Sequence, residues 1–433
     1  ITALALLNQT GRSILDFLHP IFNNAFYFFL AVAIAISIAY YIASVNVLFF
    51  GKTKKKRYED LDEEKVPFVT VQIPTKNELV AIRCAKKCLE FDYPKDRYEI
   101  IIGDDSDNKS VSKELNKFAK QHSIVKITRR GNNIGYKAGN LNHMLKYSKG
   151  EIIVLFDSDF MPSEDFLRRI VAPFQQDENI KAVQARWKFL NPNQNLITVL
   201  GATIVSVFHQ ITLPFINNQR NITFLCGSAE AVKKDTLTKL GGWKNGSLTE
   251  DIEYSLRLLK NGYKIEYLPD LECDSEVPYT PKDLYKQQKR WAYGVISSFK
   301  EHGKDILKSK NLNLKDKLCI NFTWTGYLIS VLLLFMFLTG FLSFITHRPE
   351  TFDISKFTYE LGRNIILSSG ILFASIVAQA KNKNLKSIPS MIASSFSYGL
   401  IVTYHVNIGI YKVLTKKTMP WFMLNKQGNE SIA

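Results

Sequence analysis

Apolar residues along this chain fall into two patterns. Long runs occupy 24–50, 319–346 and 364–380, each about 17–28 residues, the length of a helix that crosses a bilayer. No charged residue interrupts them. Shorter apolar runs lie between them: Phe68–Pro74, Tyr98–Gly103, Ile124–Thr128 and Glu151–Phe156. Their length and turn-rich flanks read as buried strands, and helical stretches at 79–90, 110–121 and 140–149 separate them. Strands alternating with helices predict an α/β domain whose sheet is largely parallel, with helices on both faces. The spacing divides the chain into an N-terminal amphipathic segment (1–23), a transmembrane helix (24–50), a basic linker (51–65), an α/β domain (66–300) and a C-terminal helical region (301–433).

A fourth apolar stretch, 387–411, differs by including Ser, Tyr, His405 and Asn407 and by carrying lysines at both ends, which favours a helix lying in the interface or re-entering it. Segments 195–216 and 282–300 mix apolar and polar positions and read as interfacial helices.

Charge orients the spans. Lys52 and Lys54–Arg57 follow the first run, Lys381, Lys383 and Lys386 the third, and Lys412, Lys416 and Lys417 the fourth stretch. Positive flanks stay cytoplasmic, so residues 51–318 are expected in the cytoplasm of a multi-pass plasma-membrane protein, with 347–360 outside. The net charge of +16 suits a protein facing anionic lipid, and no motif points to nucleic acid. Five cysteines, Cys84, Cys88, Cys226, Cys273 and Cys319, lie in or beside the reducing side, so no disulfide is expected. Cys84 and Cys88 share a helix face, but no second Cys/His pair completes a zinc site.

Candidate chemistry collects at the strand ends. Asp157-Ser158-Asp159 closes the fourth strand and Asp104-Asp105 the second, at the sheet edge where α/β proteins bind ligands. Two acids one residue apart repel unless a cation sits between them, and Mg²⁺ or Mn²⁺ carrying a diphosphate would satisfy them. Alone, Asp-x-Asp is as common in surface loops. Thr249-Glu250-Asp251 opens a helix, where acids also simply complement the dipole. Gln287, Arg290 and Trp291 share one helix face, offering an amide, a guanidinium suited to a diphosphate and a flat indole. No dinucleotide-binding glycine fingerprint and no Walker loop is present.

Taken in order, Val71–Glu78, Asp104-Asp105, Lys137–Asn142, Asp157-x-Asp159, Phe224–Ser228, Thr249–Asp251 and Gln287-x-x-Arg290-Trp291 resemble the membrane-embedded, inverting family 2 glycosyltransferases of the cellulose synthase and hyaluronan synthase type. The resemblance implies a GT-A (Rossmann-like) domain with flanking transmembrane and interfacial helices, and a nucleotide-sugar donor, with a UDP-sugar favoured over a GDP-sugar. It implies that Thr75, Glu78, Asp104 and Asp105 hold the base. Lys137, Asp157, Gln287, Arg290 and Trp291 would hold the rest of the donor, with the metal on Asp157 and Asp159. Phe224, Cys226, Gly227 and Trp291 would flank the acceptor. Asp251, beside Glu250, would be the general base. Where the family has Phe-Phe-Cys-Gly-Thr this chain has Leu225 and Ser228. The segment from Thr403 to Trp421 is loosely similar to the family's gate region. The implied products are a β-linked polysaccharide extended processively and secreted, or a single sugar placed on a membrane lipid.

Overall fold

The structure, a computed structural model, describes residues 2–50, 61–62, 65–220, 222–347, 353–420 and 422–427. The basic run at 52–57, Glu350 and Trp421 lie outside them. Eight strands form one mixed sheet: β1 (Val69–Thr75), β2 (Tyr98–Asp104), β3 (Val125–Thr128), β4 (Ile152–Leu155), β5 (Met161–Pro162), β6 (Ile180–Phe189), β7 (Glu230–Lys233) and β8 (Lys264–Ser275). Their order is β3-β2-β1-β4-β7-β6-β8-β5. The first four strands are parallel, as the alternation with helices predicts; β7 runs antiparallel between β4 and β6.

The sheet is buried on both faces, so its central strands read as continuous apolar runs. Alternate side chains separate into two cores. Val69, Val71, Ile73, Ile100, Ile102 and Val154 join the core under the helices Val80–Leu89 and Phe166–Gln176. Ile101, Ile153 and Leu155 join the opposite core, with Leu141 and Met144 of the helix Tyr136–Leu145 and Leu256 and Leu259 of the helix Glu250–Lys260. Two polar side chains inside the strands find partners: Thr70 donates to Glu99 at 2.9 Å and Gln72 to Ser148 at 3.0 Å. Because β1, β2 and β4 are parallel and in register, Thr75 and Asp104 emerge side by side, with Asp157 just beyond β4 at the same edge.

Three helices among the described residues are long and apolar enough to cross a membrane: Gly11–Phe49, Leu196–Arg220 and Thr325–Thr346. The first belongs to one continuous helix, Thr2–Phe49, with no break between the expected amphipathic segment and the span. Leu196–Arg220 is largely enclosed by protein and contains a π-turn at Phe208–Thr212. The apolar run at 364–380 does not form a single helix. It straddles the helices Ile354–Ser368 and Gly370–Lys381, bent by 51°. The first helix reaches into the bend from far along the chain. Tyr41 of the first helix donates to the Ile366 carbonyl at 2.9 Å, and the Gly370 N–H donates to Ser37 Oγ at 2.6 Å. All but the first residue of the stretch 387–411 lies within one helix, Ile388–Leu414, running alongside the helix Pro281–Lys308. Tyr285 stacks on His405 at 5.0 Å, and Lys300 donates to the Val413 carbonyl at 3.1 Å.

A Cβ at position 370 would stand 2.0 Å from the Ser37 carbonyl oxygen, a backbone atom that cannot step aside. Gly370→Ala is therefore expected to push the bent pair off the first helix and cost about 1–3 kcal/mol, the range for overpacking. Thermal unfolding in detergent reads this as a lowered midpoint.

Candidate active site

A cleft opens where β1, β2 and β4 end, enclosing about 1330 Å³ of non-protein space, open solvent included. Strand ends supply Thr75, Glu78, Asp105, Asp157 and Asp159, and the helix Tyr136–Leu145 supplies Lys137. The loop before β7 supplies Cys226 and Gly227, and the turn into the helix Glu250–Lys260 supplies Thr249, Glu250 and Asp251. Gln287, Arg290 and Trp291 line the cleft from the helix Pro281–Lys308, one face of which they share. Phe422–Lys426 close the remaining side.

So many acids at one sheet edge need cations, and two lysines meet that need. Lys137 Nζ lies 2.8 Å from Asp157 and 3.2 Å from Glu250, and donates to the Gly227 carbonyl at 2.6 Å. Burial alone would lower its pKa, but the Asp157 and Glu250 charges outweigh burial and raise it. Lys426 Nζ lies 2.8 Å from Asp159 and 3.2 Å from Glu78 and donates to Ser158 at 2.7 Å. Burial again opposes the charge and the carboxylates win, so Lys426 is raised too. Asp159 is held below the usual carboxylate range because the Lys426 charge outweighs its burial. Glu78 is raised, its burial outweighing Lys426.

Asp251 behaves differently. Burial raises its carboxyl, the Glu250 charge adds to this and Lys137 opposes it, leaving the pKa pushed up to about 7. Gly227, at φ +84°, brings the loop backbone against this group: a Cβ there would stand 3.3 Å from both Asp251 Oδ2 and Lys137 Nζ. A carboxyl poised near neutrality suits a general base. Nearby, Arg290 Nε is buried with no hydrogen-bond partner among the described residues, an orphan donor at the wall of an acid-rich cleft.

Residues 67–294 match the family described as glycosyltransferase like family 2. The chain belongs to that family. Among curated relatives, the chain is similar to glucomannan 4-beta-mannosyltransferase 2 of Arabidopsis thaliana, 30% identical over 65% of this chain and 56% of the relative. A probable glucomannan 4-beta-mannosyltransferase 11 of Oryza sativa subsp. japonica is 33% identical over 58% of this chain and 46% of its own length. The chain thus spans about half the length of these relatives. Among solved structures, a mannosyltransferase, PcManGT from Pyrobaculum calidifontis in complex with GDP-Man and Mn2+, superposes with a TM-score of 0.61 at 19% identity, covering 92% of this chain and all of the other. The fold of this family 2 glycosyltransferase is accordingly of the GT-A kind, a Rossmann-type α/β domain with a curled mixed sheet.

Two expected site residues of the glycosyltransferase lie elsewhere. Asp104 is buried and does not line the cleft; its oxygens accept from the Ser106 N–H at 3.0 Å, Ser112 Oγ at 2.6 Å and Arg129 Nε at 2.7 Å. It pins the loop after β2. Phe224 is fully buried and tilts against Phe299, 6.3 Å between ring centres, so it packs beneath the loop that carries Cys226 and Gly227 and does not face the cleft. Asp105 does line the cleft, and Arg130 grips it through a fork, Nε to Oδ1 at 2.9 Å and Nη2 to Oδ2 at 2.6 Å.

The structure also adds residues that motif reading missed. Lys426 arrives from the far end of the chain, and Trp187 and Glu276 line the cleft from β6 and the turn after β8. Beneath Gly227, buried Glu230 accepts the N–H groups of Cys226 and Gly227 at 3.1 and 2.8 Å.

Among the described residues no group of three or more His, Cys, Asp or Glu side chains is set to hold a metal. The protein offers the two carboxylates Asp157 and Asp159, hard oxygen donors that suit Mg²⁺ or Mn²⁺ when diphosphate oxygens and water complete the shell. The ammonium of Lys426 already stands as a cation on Asp159. The donor set therefore fits.

Asp251 must be ionised to accept a proton, so kcat/KM is expected to fall as pH drops through about 7, well above the ordinary carboxyl range. A pH–rate profile checks this: an acid limb near 4 would remove Asp251 from the role. A second expectation separates the two neighbouring aspartates. Asp104→Asn should lower the unfolding temperature while leaving the KM for donor near the wild-type value. Asp105→Asn should instead raise that KM.

Proposed function

We propose that this family 2 glycosyltransferase is a membrane-bound, inverting mannosyltransferase that takes mannose from GDP-mannose and extends a β-linked glycan. The observation that carries the reaction type is Asp251, held near neutrality beside the Gly227 loop and joined through Lys137 to the acids at the strand ends. Support for the donor comes from the glucomannan 4-beta-mannosyltransferase relatives and from the GDP-Man complex of the structural neighbour. This moves the favoured nucleotide from uridine to guanosine. The Asp105–Arg130 fork serves either base: the carboxylate can accept a ring N–H, and the guanidinium fixes its orientation.

The steps follow from the residues. The acceptor hydroxyl approaches the anomeric carbon between the Gly227 loop and the donor. Asp251 accepts the hydroxyl proton as the new C–O bond forms. The bond from the anomeric carbon to the diphosphate oxygen breaks, and its electron pair leaves with the nucleoside diphosphate. Lys137 and Arg290 neutralise the charge gathering there. One displacement inverts the centre, so an α-linked donor yields a β-linked product. A divalent cation held by Asp157 and Asp159 would add Lewis-acid stabilisation of the diphosphate. We place the cleft on the cytoplasmic side of the plasma membrane, because lysines cluster where the helices re-emerge, at 381–386 and 412–417.

Membranes containing the protein, incubated with radiolabelled GDP-mannose, UDP-glucose or UDP-N-acetylglucosamine, are expected to incorporate label from GDP-mannose into material that grows with time. Incorporation from a UDP-sugar alone would overturn the donor assignment, and a product of one added sugar on a lipid would replace chain extension with single transfer. Asp251→Asn should cut kcat by roughly 10²–10⁴, the usual contribution of a general base, with nucleoside diphosphate binding retained. Chelation of divalent metal should stop turnover; activity that survives it would refute the Asp157/Asp159 role.

A further inference from the structure

Trp187 is the one indole besides Trp291 that lines the cleft among the described residues. It stands at the end of β6 just after a break in register, where Ala185 faces Leu268 but Arg186 faces Glu272. Such irregularities re-aim the side chains that follow them. Three contacts then hold the ring. Its Nε1–H donates to the Ser228 carbonyl at 2.9 Å, and Ser228 Oγ in turn accepts the Asp157 N–H at 2.8 Å. Phe160, next in sequence to Asp159, meets it edge-on at 5.1 Å. His209 stacks on it, 5.2 Å between centres and 26° from parallel. His209 sits in the π-turn of the enclosed helix, fixed by the Tyr267 hydroxyl, which donates to the His209 carbonyl at 2.6 Å. With one face on His209 and the edge tethered, the ring has no freedom to turn out of the cleft.

The ring thus lies between the acid pair that faces the diphosphate and the Gly227 loop that faces Asp251. Given the nucleotide-sugar reading above, that is where the hexosyl group must pass. Hexoses present an apolar C–H face that packs on aromatic rings. We infer that Trp187 is the wall of the donor hexose pocket, a specificity-determining residue that contributes to binding the sugar and not the nucleotide. The Ser228 carbonyl and His209 act as its positioning residues.

The test compares nucleotide and nucleotide-sugar binding to the full-length protein in detergent, using GDP with GDP-mannose and UDP with UDP-glucose, by calorimetry. In wild type, the affinity ratio of sugar-nucleotide to free nucleotide measures what the hexose adds. Trp187→Leu should lower that ratio about tenfold, the order expected for loss of one stacking contact, with free nucleotide affinity unchanged. Trp187→Phe, which keeps an aromatic ring but loses the Nε1–H tether and part of the stacking area, should lower it severalfold and guards against a Leu variant that fails to fold. A ratio unchanged in the Phe variant, or equal loss for nucleotide and nucleotide-sugar, overturns the inference. If wild type binds no nucleotide of either kind, the function proposed above fails instead.

Discussion

The constraint on which the cleft depends is the cost of gathering carboxylates at one sheet edge. Glu78, Asp157, Asp159, Glu250 and Asp251 all converge there, and most are withdrawn from water. Unpaired, they would repel one another and protonate. Lys137 ties Asp157 to Glu250, and Lys426 ties Asp159 to Glu78, so four of the five share two ammonium groups. The fifth, Asp251, takes part in neither contact, and burial together with the Glu250 charge raises its proton affinity against the pull of Lys137. Pairing does not act on every site alike: Asp159 is held below the usual carboxylate range by Lys426, whereas burial raises Glu78 in spite of the same ammonium.

Much of this was legible in the sequence because the groups that line the cleft sit at strand ends and helix starts, and those boundaries are set by short-range patterns. The pleat also separates the two aspartates at the end of β2. Along β2, Ile100 and Ile102 face one core and Ile101 the other. Asp104 continues the row of Ile100 and Ile102 into protein, whereas Asp105, one residue on, turns to the cleft. A family motif of two adjacent aspartates does not distinguish them, but the alternation does. Phe224 follows the same logic, since a phenylalanine beside a polar loop is more easily buried than displayed.

What stayed hidden depends on long-range contact. Lys426 reaches Ser158 across 268 positions and Glu78 across 348, and nothing around Lys426 distinguishes it from other lysines of a basic chain. Arg130 lies beside another arginine, and only the fold decides that Arg129 goes to Asp104 and Arg130 to Asp105. Hydropathy found the apolar run at 364–380 but not its bend, because the break follows from hydrogen bonds to Ser37 and Tyr41 more than 300 positions away.

The pairing of the helices Pro281–Lys308 and Ile388–Leu414 has a mechanical side. The first carries Gln287, Arg290 and Trp291; the second leads within a few residues to Phe422, whose ring lies 6.0 Å from the Arg290 guanidinium and 5.3 Å from the Lys286 ammonium. Asn425 also donates to Asp283 at 3.1 Å. The segment is also held from the other side, since Lys426 reaches Asp159 and Glu78 at the sheet edge and the Gln427 N–H donates to Glu276 at 2.8 Å. It therefore staples the helix Pro281–Lys308 to the strand ends, and the two walls of the cleft cannot part without breaking one set of these contacts.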